Sequence, residues 1–489
     1  MNNTYDACVI GSGMAGLTTA CLLAKQGLKV AVLEQNYLPG GCTSSYWRKG
    51  FVFESGATTL VGLDEHMPLR YLLDELDIQL DAVQLKLPMK VWLADGSFIH
   101  KYQEMDAWIR EAERIFGEPN QRKFWEFCKK VSDFVWETSL KQTAFPPTNF
   151  SDLWLAVQRS SIKQVKMARY ALKSMESLLR QYNLLENQRF VDFVNEQLMI
   201  TAQNKIEEVN VLFGATALCY TNYGNYYMNG GLINLVNPLL NYLEANQSIL
   251  HTRTLVERVE QEGDLYGIYT RKQGKFYSKY LISGIPINNT VQLFNGEIQE
   301  KYTNHLLEST QLNSAFQMGI GFRNSRNISF DCIHHQIHLK EPLPEIGSDS
   351  IFLSLSHPDD RSRADEAGSM VASISTHVPN PAYTFIEDKT EIESKIIAEL
   401  VKLGFFLEED IVYRHSSTPK SWQKWTLREW GFVGGYPQFM HIKPWQMLDA
   451  RLDGKRAYIC GDTTYPGQGI PGTVLSGIIA FEKLKNDHL

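Results

Sequence analysis

Tyr5-Asp-Ala-Cys-Val-Ile-Gly-Ser-Gly-Met-Ala-Gly16 runs on through Leu17 to Lys25 and closes on Val30-Ala-Val-Leu-Glu34. Apolar Ala7 to Ile10 predict a short buried strand, Leu17 to Lys25 a helix that ends at Gly27, and Val30 to Leu33 a second strand. Between the first two elements Gly11, Gly13 and Gly16 supply a G-x-G-x-x-G turn. Gly11 permits the tight turn, Gly13 lets backbone approach a pyrophosphate, and Gly16 lets the helix lie close to its strand. Phosphates then sit on a helix N-terminus, where free N–H groups and the helix dipole favour anions. Glu34 follows at the distance expected of an acid that accepts the ribose hydroxyls, and it favours a free hydroxyl over a 2′-phosphate. Strand, turn, helix, strand and acid arrive in order, so the stretch reads as a dinucleotide site.

Around that site the composition sets bounds. A chain of 489 residues exceeds one core's usual size and predicts two domains. With 44% hydrophobic and 21% charged residues, it can bury a substantial core. A net charge of −7 argues against nucleic acid as a partner. The 7 cysteines stand singly and without a C-x-x-C, which predicts reduced thiols in a cytoplasmic setting and neither a disulfide framework nor a zinc site. The first strand begins within a few residues of Met1, so no secretory or transit segment is expected, and no apolar run reaches spanning length.

Along the chain, Pro39-Gly40-Gly41 opens a loop able to run backbone along a ligand, and Gly50 to Phe53 reads as one arm of a hairpin returning through Ser55-Gly56-Ala57. Residues Pro68 to about Asn204 read as mostly helical, with a small hairpin from Val91 to Ile99 around Asp95-Gly96. Tyr226 to Leu232 reads as a turn into an amphipathic helix ending at Leu243, and His251 to Ile268 alternates in strand fashion. Tyr280 to Gly284 predicts a short buried strand, and Gln317–Phe322, Ile351–Leu355 and Met370–Ser375 a largely antiparallel sheet. Lys389 to Leu403 predicts a helix. The last strand is placed at Ala457 to Cys460, with the terminal helix from Val474. Between them, Gly461-Asp-Thr-Thr-Tyr-Pro-Gly-Gln-Gly-Ile-Pro-Gly472 repeats the strand, glycine turn, helix logic of the N-terminus.

These motifs together resemble the flavin-dependent amine-oxidase superfamily and, within it, the phytoene desaturase and carotenoid isomerase branch. The resemblance is carried by G-S-G-M-A-G with Glu34, P-G-G-C-T, F-x-F-E-S-G-A, Met228-Asn-Gly-Gly231 and the closing G-D-T-T-Y-P-G-Q-G-I-P-G. Cys42 stands where desaturases usually carry Arg, a departure that resembles carotenoid isomerases and retinol saturases. The resemblance implies FAD. By analogy Gly11, Gly13, Met14, Ala15 and Gly16 hold the pyrophosphate, Glu34 and Gln35 the adenosine ribose, and Gly41, Cys42 and Thr43 run beside the diphosphate. Gly56 and Ala57 approach the isoalloxazine, Val256 presents its backbone to adenine, Gly461 and Asp462 hold the ribityl chain, and Gly469, Ile470 and Gly472 reach the flavin's pyrimidine end. The implied fold is α/β: a Rossmann-type FAD domain from 1–66, 205–290 and 446–489. It is interleaved with an α+β substrate domain from 67–204 and 291–445, combining antiparallel sheet with a helical cap. No second G-x-G-x-x-G offers a nicotinamide site, since Gly319-Ile-Gly321 lies inside a strand.

The function the resemblance implies is oxidation of a long apolar polyene, most simply carotenoid desaturation with hydride transfer to flavin. Cis-trans isomerisation using reduced FAD, or saturation of a polyene or retinol, stays open. So do an amine oxidase, for which no paired Lys is identified, and a non-enzymatic flavoprotein resembling Rab escort proteins. A quinone or oxygen would reoxidise the flavin. Aromatic residues that could line a polyene tunnel are Tyr223, Tyr226, Tyr227, Trp422, Trp425, Trp430, Tyr436 and Tyr465, each equally suited to core packing. Tyr465, ahead of Pro466-Gly467, leads the catalytic candidates, with Glu54 and Glu429 as possible bases. His334, His335 and His338 form the one histidine cluster and read as a polar strand face, with no metal expected. Arg159, Lys163, Lys166, Arg169, Lys173 and Arg180 recur at helical spacing beside Ile162, Val165, Leu172, Met175 and Leu179, with Ser151 and Asp152 as caps. That pattern reads either as a solvated cap helix or as a basic amphipathic helix lying on an anionic membrane. Peripheral membrane association from the cytoplasm is the expectation that suits a lipid-dissolved substrate.

Overall fold

Strand Thr4–Ile10 lies between Val30–Leu33 and Lys275–Ser283 in a seven-stranded sheet. The computed structural model describes residues 3–117, 119–326 and 332–489, apart from the side chains of Ile162, Lys163 and Val165. Ile249–His251 extends the sheet parallel beyond Val30–Leu33, and Ala457–Ile459 pairs parallel with Lys275–Ser283. The antiparallel strands Leu265–Thr270 and Val256–Glu262 complete it. The central strands read as unbroken apolar runs because both faces are covered. Ala7, Val9, Val30 and Val32 face the helices Met14–Lys25, Ile233–Ala245 and Ile470–His488, while Cys8, Ile10, Ala31 and Leu33 face the opposite core.

Helix Met14–Lys25 is buried from Met14 to Ala24. It packs against the terminal helix closely enough for the Thr19 hydroxyl to donate to the Gly477 carbonyl at 2.9 Å. A Cβ on Gly477 would stand 2.5 Å from the Ala15 carbonyl oxygen, and one on Gly16 would stand 2.5 Å from that of Gly11. Glycine at both positions is what permits the approach. The terminal helix begins at Ile470 rather than Val474, because Pro471 suits a first turn that has no use for its N–H.

A second seven-stranded sheet runs in the order Ile411–Ser417, Asn313–Arg323, Ser369–Pro379, Ser350–Leu355, His334–His338, Met89–Trp92 and Phe98–Lys101. It is antiparallel except where His334–His338 meets Met89–Trp92. Helix Lys389–Lys402 covers one face through Ile392, Ile396 and Leu400. A helical layer containing Met105–Phe116, Gln121–Ser139, Gln188–Ala202 and Val211–Leu218 closes around Trp108, Trp125, Phe190 and Phe193. The α/β class is as expected.

Three local expectations are corrected. The stretch from Tyr226 is not a turn: Asn225–Met228 is the central strand of a three-stranded sheet with Leu60–Val61 and Ala82–Gln84. The alternation from His251 breaks between the strands Ile249–His251 and Val256–Glu262. The basic segment is not one helix but three short ones, Phe150–Gln158, Ile162–Ala168 and Met175–Gln181. Each has its own cap. Asn149 accepts from the Asp152 N–H at 2.8 Å, Ser161 forms a capping box with Gln164, and Ser174 accepts from the Ser177 N–H at 3.2 Å. Lys163, Ile162 and Val165 lie outside the described side chains. Asp152 is 3% exposed and pairs with Arg451 at 2.6 Å instead of facing solvent.

The Gly477 contact makes a prediction of sign. Gly→Ala inside an ordinary helix stabilises by about 1 kcal/mol. Gly477→Ala here is expected to destabilise by about 1–3 kcal/mol, because the new methyl meets backbone. Urea unfolding of the two proteins measures it.

Candidate dinucleotide site

A cavity of about 520 Å³ opens where the N-terminal glycine turn, the residues after Glu34, the 254–257 segment and the 461–462 turn converge. That volume falls in the range of about 300–1,000 Å³ typical of ligand sites. Gly11 holds φ at +89°, and a Cβ there would stand 2.9 Å from the Ile285 side chain. Its N–H donates to the Leu33 carbonyl at 2.9 Å, locking the turn to the second strand. Gly13 is the N-terminal cap residue of helix Met14–Lys25 but supplies no side-chain cap, and a Cβ on it would meet nothing within 4 Å. The first turn of the helix lies at the cavity without a side-chain cap, as an anion site requires. Gly40 donates its N–H to the Ser12 carbonyl at 3.1 Å, and a Cβ on Gly41 would stand 3.4 Å from Gly13 Cα, so the second glycine loop lies along the first.

Glu34 is 6% exposed and ends its strand at the cavity wall. One carboxylate oxygen accepts from the Ser12 N–H at 3.0 Å and the Ser12 hydroxyl at 2.6 Å, and the other from the Asn36 N–H at 2.8 Å. The roof comes from helix Pro419–Thr426 and the two residues after it. The Trp425 carbonyl accepts from Gln35 Nε2 at 2.9 Å and Asn36 Nδ2 at 3.0 Å. Arg428 Nη2 donates to Asp462 Oδ2 at 2.6 Å. Burial pushes the Cys42 thiol pKa up, with the Arg428 cation pulling it down and Asp462 raising it further.

Gly11, Gly13, Met14, Ala15, Glu34, Gln35, Gly41, Cys42, Thr43, Val256, Gly461 and Asp462 all line this one cavity. Gly16 packs beneath the turn. Gly56 and Ala57 lie behind Cys42, whose carbonyl accepts the Ala57 N–H at 2.8 Å. Gly469, Ile470 and Gly472 start the terminal helix, whose Thr473 reaches the cavity. Sequence reasoning missed the roof: nothing local marks Leu427 or Arg428 as belonging with Asp462.

The catalytic candidates fare differently. Glu54 is not free to act as a base. It forms an ion pair with Arg363 at 2.7 Å, the two side chains being 6% and 4% exposed, and also accepts from the Ser45 hydroxyl at 2.6 Å. Glu429 accepts from Asn288 Nδ2 at 2.8 Å, and Tyr465 packs its ring edge-on against Phe145 at 4.8 Å with its hydroxyl pKa pushed up to about 12 by burial. Neither lines the cavity.

The aromatic candidates do not gather into one wall. Trp425 joins the dinucleotide cavity, Tyr223 donates to Ser132 and Asp133 at 2.9 Å, and Tyr227 donates to Asp360 at 2.7 Å. Trp430 and Tyr436 pack around Phe432, Trp422 is buried at 6% exposure, and Tyr226 sits on the three-stranded sheet. His334 pairs with the Ser354 hydroxyl at 2.7 Å and His335 with the Cys332 carbonyl at 2.9 Å. Burial lowers both His334 and His338 to about 4. Among the described residues no cluster of His, Cys, Asp or Glu could hold a metal.

Fold and cavity thus define an α/β dinucleotide-binding protein. The chain belongs to the flavin-containing amine oxidoreductase family, whose profile matches residues 14–482. It is similar over 99% of its length to prolycopene isomerase 1, chloroplastic, of an Oncidium hybrid cultivar, at 24% identity and 84% of that protein. It is likewise similar over 98% of its length to a 4,4′-diapolycopen-4-al dehydrogenase of Metabacillus indicus, at 24% identity and 97% of that protein. Among solved structures, an oxidoreductase from Methanosarcina mazei shares the fold with a TM-score of 0.64 at 15% identity, over 97% of this chain and 99% of that one. A flavin family and a dinucleotide cavity together make the cofactor FAD and the protein an FAD-dependent oxidoreductase. The bare helix N-terminus, the open face of Gly13 and the Glu34 carboxylate fit that group.

The Glu54–Arg363 pair yields a second prediction. Arg363→Met is expected to cost about 3–5 kcal/mol, because it strands a buried carboxylate. Adding Glu54→Gln should recover part of that loss, with urea unfolding as the measurement.

Proposed function

We propose that the protein oxidises a long apolar polyene, removing hydride and a proton from adjacent carbons to extend conjugation. The observation that carries this reading is that both whole-length relatives named above take their names from conjugated polyenes, prolycopene and diapolycopenal. FAD, when bound, supplies the two-electron acceptor, and a quinone or oxygen regenerates it. The chain's part is binding and orientation. Glu34 and Gln35 take the adenosine ribose, Val256 the adenine, and Gly11 to Gly16 with Gly41 to Thr43 the diphosphate. Asp462 with Gly461 takes the ribityl chain, and Gly56, Ala57, Gly469, Ile470 and Gly472 the ring. A second reading, cis-trans isomerisation with no net redox change, is favoured by the isomerase name of the first relative.

Anaerobic mixing of the FAD-loaded protein with lipid-dispersed phytoene-like, cis-lycopene-like and retinoid polyenes tests both readings. Flavin bleaching with a longer-wavelength product is the expected outcome. Cis-to-trans conversion after chemical reduction of the flavin, without bleaching by substrate, would replace desaturation with isomerisation. Silence in both would overturn the polyene reading.

A polyene reaches an enzyme from lipid, and the exposed apolar side chains of the first capped helix support the reading of a peripheral membrane contact. Phe150, Leu153, Trp154 and Val157 are 87%, 49%, 59% and 62% exposed. The exposed basic residues Arg159, Lys166, Arg169 and Lys173 follow within the same segment. Among the described residues no helix is long and apolar enough to cross a membrane. Apolar side chains for the acyl boundary beside cations for anionic headgroups are what surface binding requires. Phe150→Ser with Trp154→Ser is expected to reduce co-sedimentation with anionic liposomes at least tenfold and leave unfolding unchanged. Equal sedimentation would refute the contact.

A further inference from the structure

Arg428 stands apart from the other residues of the cavity. The described lining carries the carboxylates of Glu34, Glu257 and Asp462, and Arg428 is its one basic side chain. Glu257 is paired with Arg271 at 2.6 Å, which leaves the carboxylates of Glu34 and Asp462 in the lining of a cavity that has to take a dianionic diphosphate. Helix N-terminal N–H groups attract such an anion with only fractional charge. One full positive charge in the lining therefore attracts the anion more strongly than that fractional charge does.

The placement is as telling as the charge. Arg428 reaches Asp462 through Nη2 at 2.6 Å, with 14% of its side chain exposed, while its Nη1 is buried and has no hydrogen-bond partner. A buried guanidinium N–H without an acceptor is costly, which makes the orphan a marker for a missing ligand. Phe432 supports the guanidinium from one side, its ring centroid 5.0 Å from Cζ. Cys42 lines the same cavity, where burial raises its thiol pKa and the Arg428 cation offsets part of that rise. Cys42 follows Gly41, which lies against Gly13. Arg428, Asp462, Cys42 and Gly41 line one cavity, and the guanidinium that carries the orphan N–H is held there by Asp462.

We propose that Arg428 is a diphosphate-binding residue of this protein: Nη2 neutralises Asp462 while Nη1 donates to a phosphate oxygen of the bound dinucleotide. An arginine suits this double duty because its planar fork can serve two acceptors at once. The charge reaches the phosphates from the roof, on the segment that leads out of the second sheet. The proposal rests on the dinucleotide reading of the cavity and is independent of the polyene.

Titration of the apoprotein with FAD, followed by quenching of flavin fluorescence, tests it without turnover. Arg428→Met is expected to weaken FAD 10- to 100-fold and to flatten the dependence of affinity on salt. Arg428→Gln, which keeps a donor for Asp462 but no charge, is expected to weaken it as well. Cys42→Arg added to Arg428→Met is expected to recover at least half of the lost affinity on a logarithmic scale. Asp462→Asn separates a phosphate contact from simple neutralisation. Arg428→Met/Asp462→Asn should bind FAD at least tenfold more weakly than Asp462→Asn alone. Equal affinities in that pair, or wild-type affinity in Arg428→Met, overturn the proposal. Should Arg428→Met fail to fold, Arg428→Gln decides by the same criterion. Failure of the wild-type protein to bind FAD would instead remove the dinucleotide reading itself.

Discussion

Two helices from opposite ends of the chain approach until a threonine hydroxyl of one donates to a backbone carbonyl of the other, and the rest of the nucleotide domain depends on that approach. Thr19 reaches the Gly477 carbonyl at 2.9 Å, and neither Gly16 nor Gly477 has room for a methyl. With the helices this close, strands Thr4–Ile10 and Ala457–Ile459 can both pair into one sheet on either side of Lys275–Ser283. The turns that follow those two strands, at Gly11 and at Gly461, then open into the same space. The cavity is a consequence of helix packing before it is a matter of ligand chemistry.

Its electrostatics follow from the same geometry. The sheet delivers Glu34 and Asp462 to the wall, and the bare end of helix Met14–Lys25 delivers partial positive charge. An acid at each flank suits the hydroxyl-rich parts of a dinucleotide and disfavours its phosphates. The roof offsets this with Arg428, while the side chains of Gln35 and Asn36 hold the roof down through the Trp425 carbonyl. The site therefore combines backbone presented by glycine with a roof tethered by amides.

How much of this was legible follows the range of the interactions involved. The N-terminal unit could be read from its residues because its turn, helix and acid are local, and the closing Gly461 turn because it repeats the same local logic. The basic segment after Asn149 misled, since its apolar and cationic spacing is helical throughout while Ser161 and Ser174 restart the helix each time; caps outweigh periodicity there. Glu54 looked like a candidate base because its partner Arg363 comes from a loop far along the chain. Gln35 and Trp425 meet across 390 residues, and no spacing rule anticipates such a roof. The histidines read correctly as strand residues, although their burial was not visible in the sequence.

The pairing of Thr19 with Gly477 spans 458 residues of sequence. At synthesis rates of roughly 5–20 residues per second, the first strand and helix wait about half a minute to a minute and a half for the partner that completes their sheet. Through that interval the edges of Thr4–Ile10 and the bare helix end have no finished pocket around them. Cofactor capture therefore waits for helix Ile470–His488, and a nascent chain that stalls short of that helix carries a glycine turn with nothing to hold.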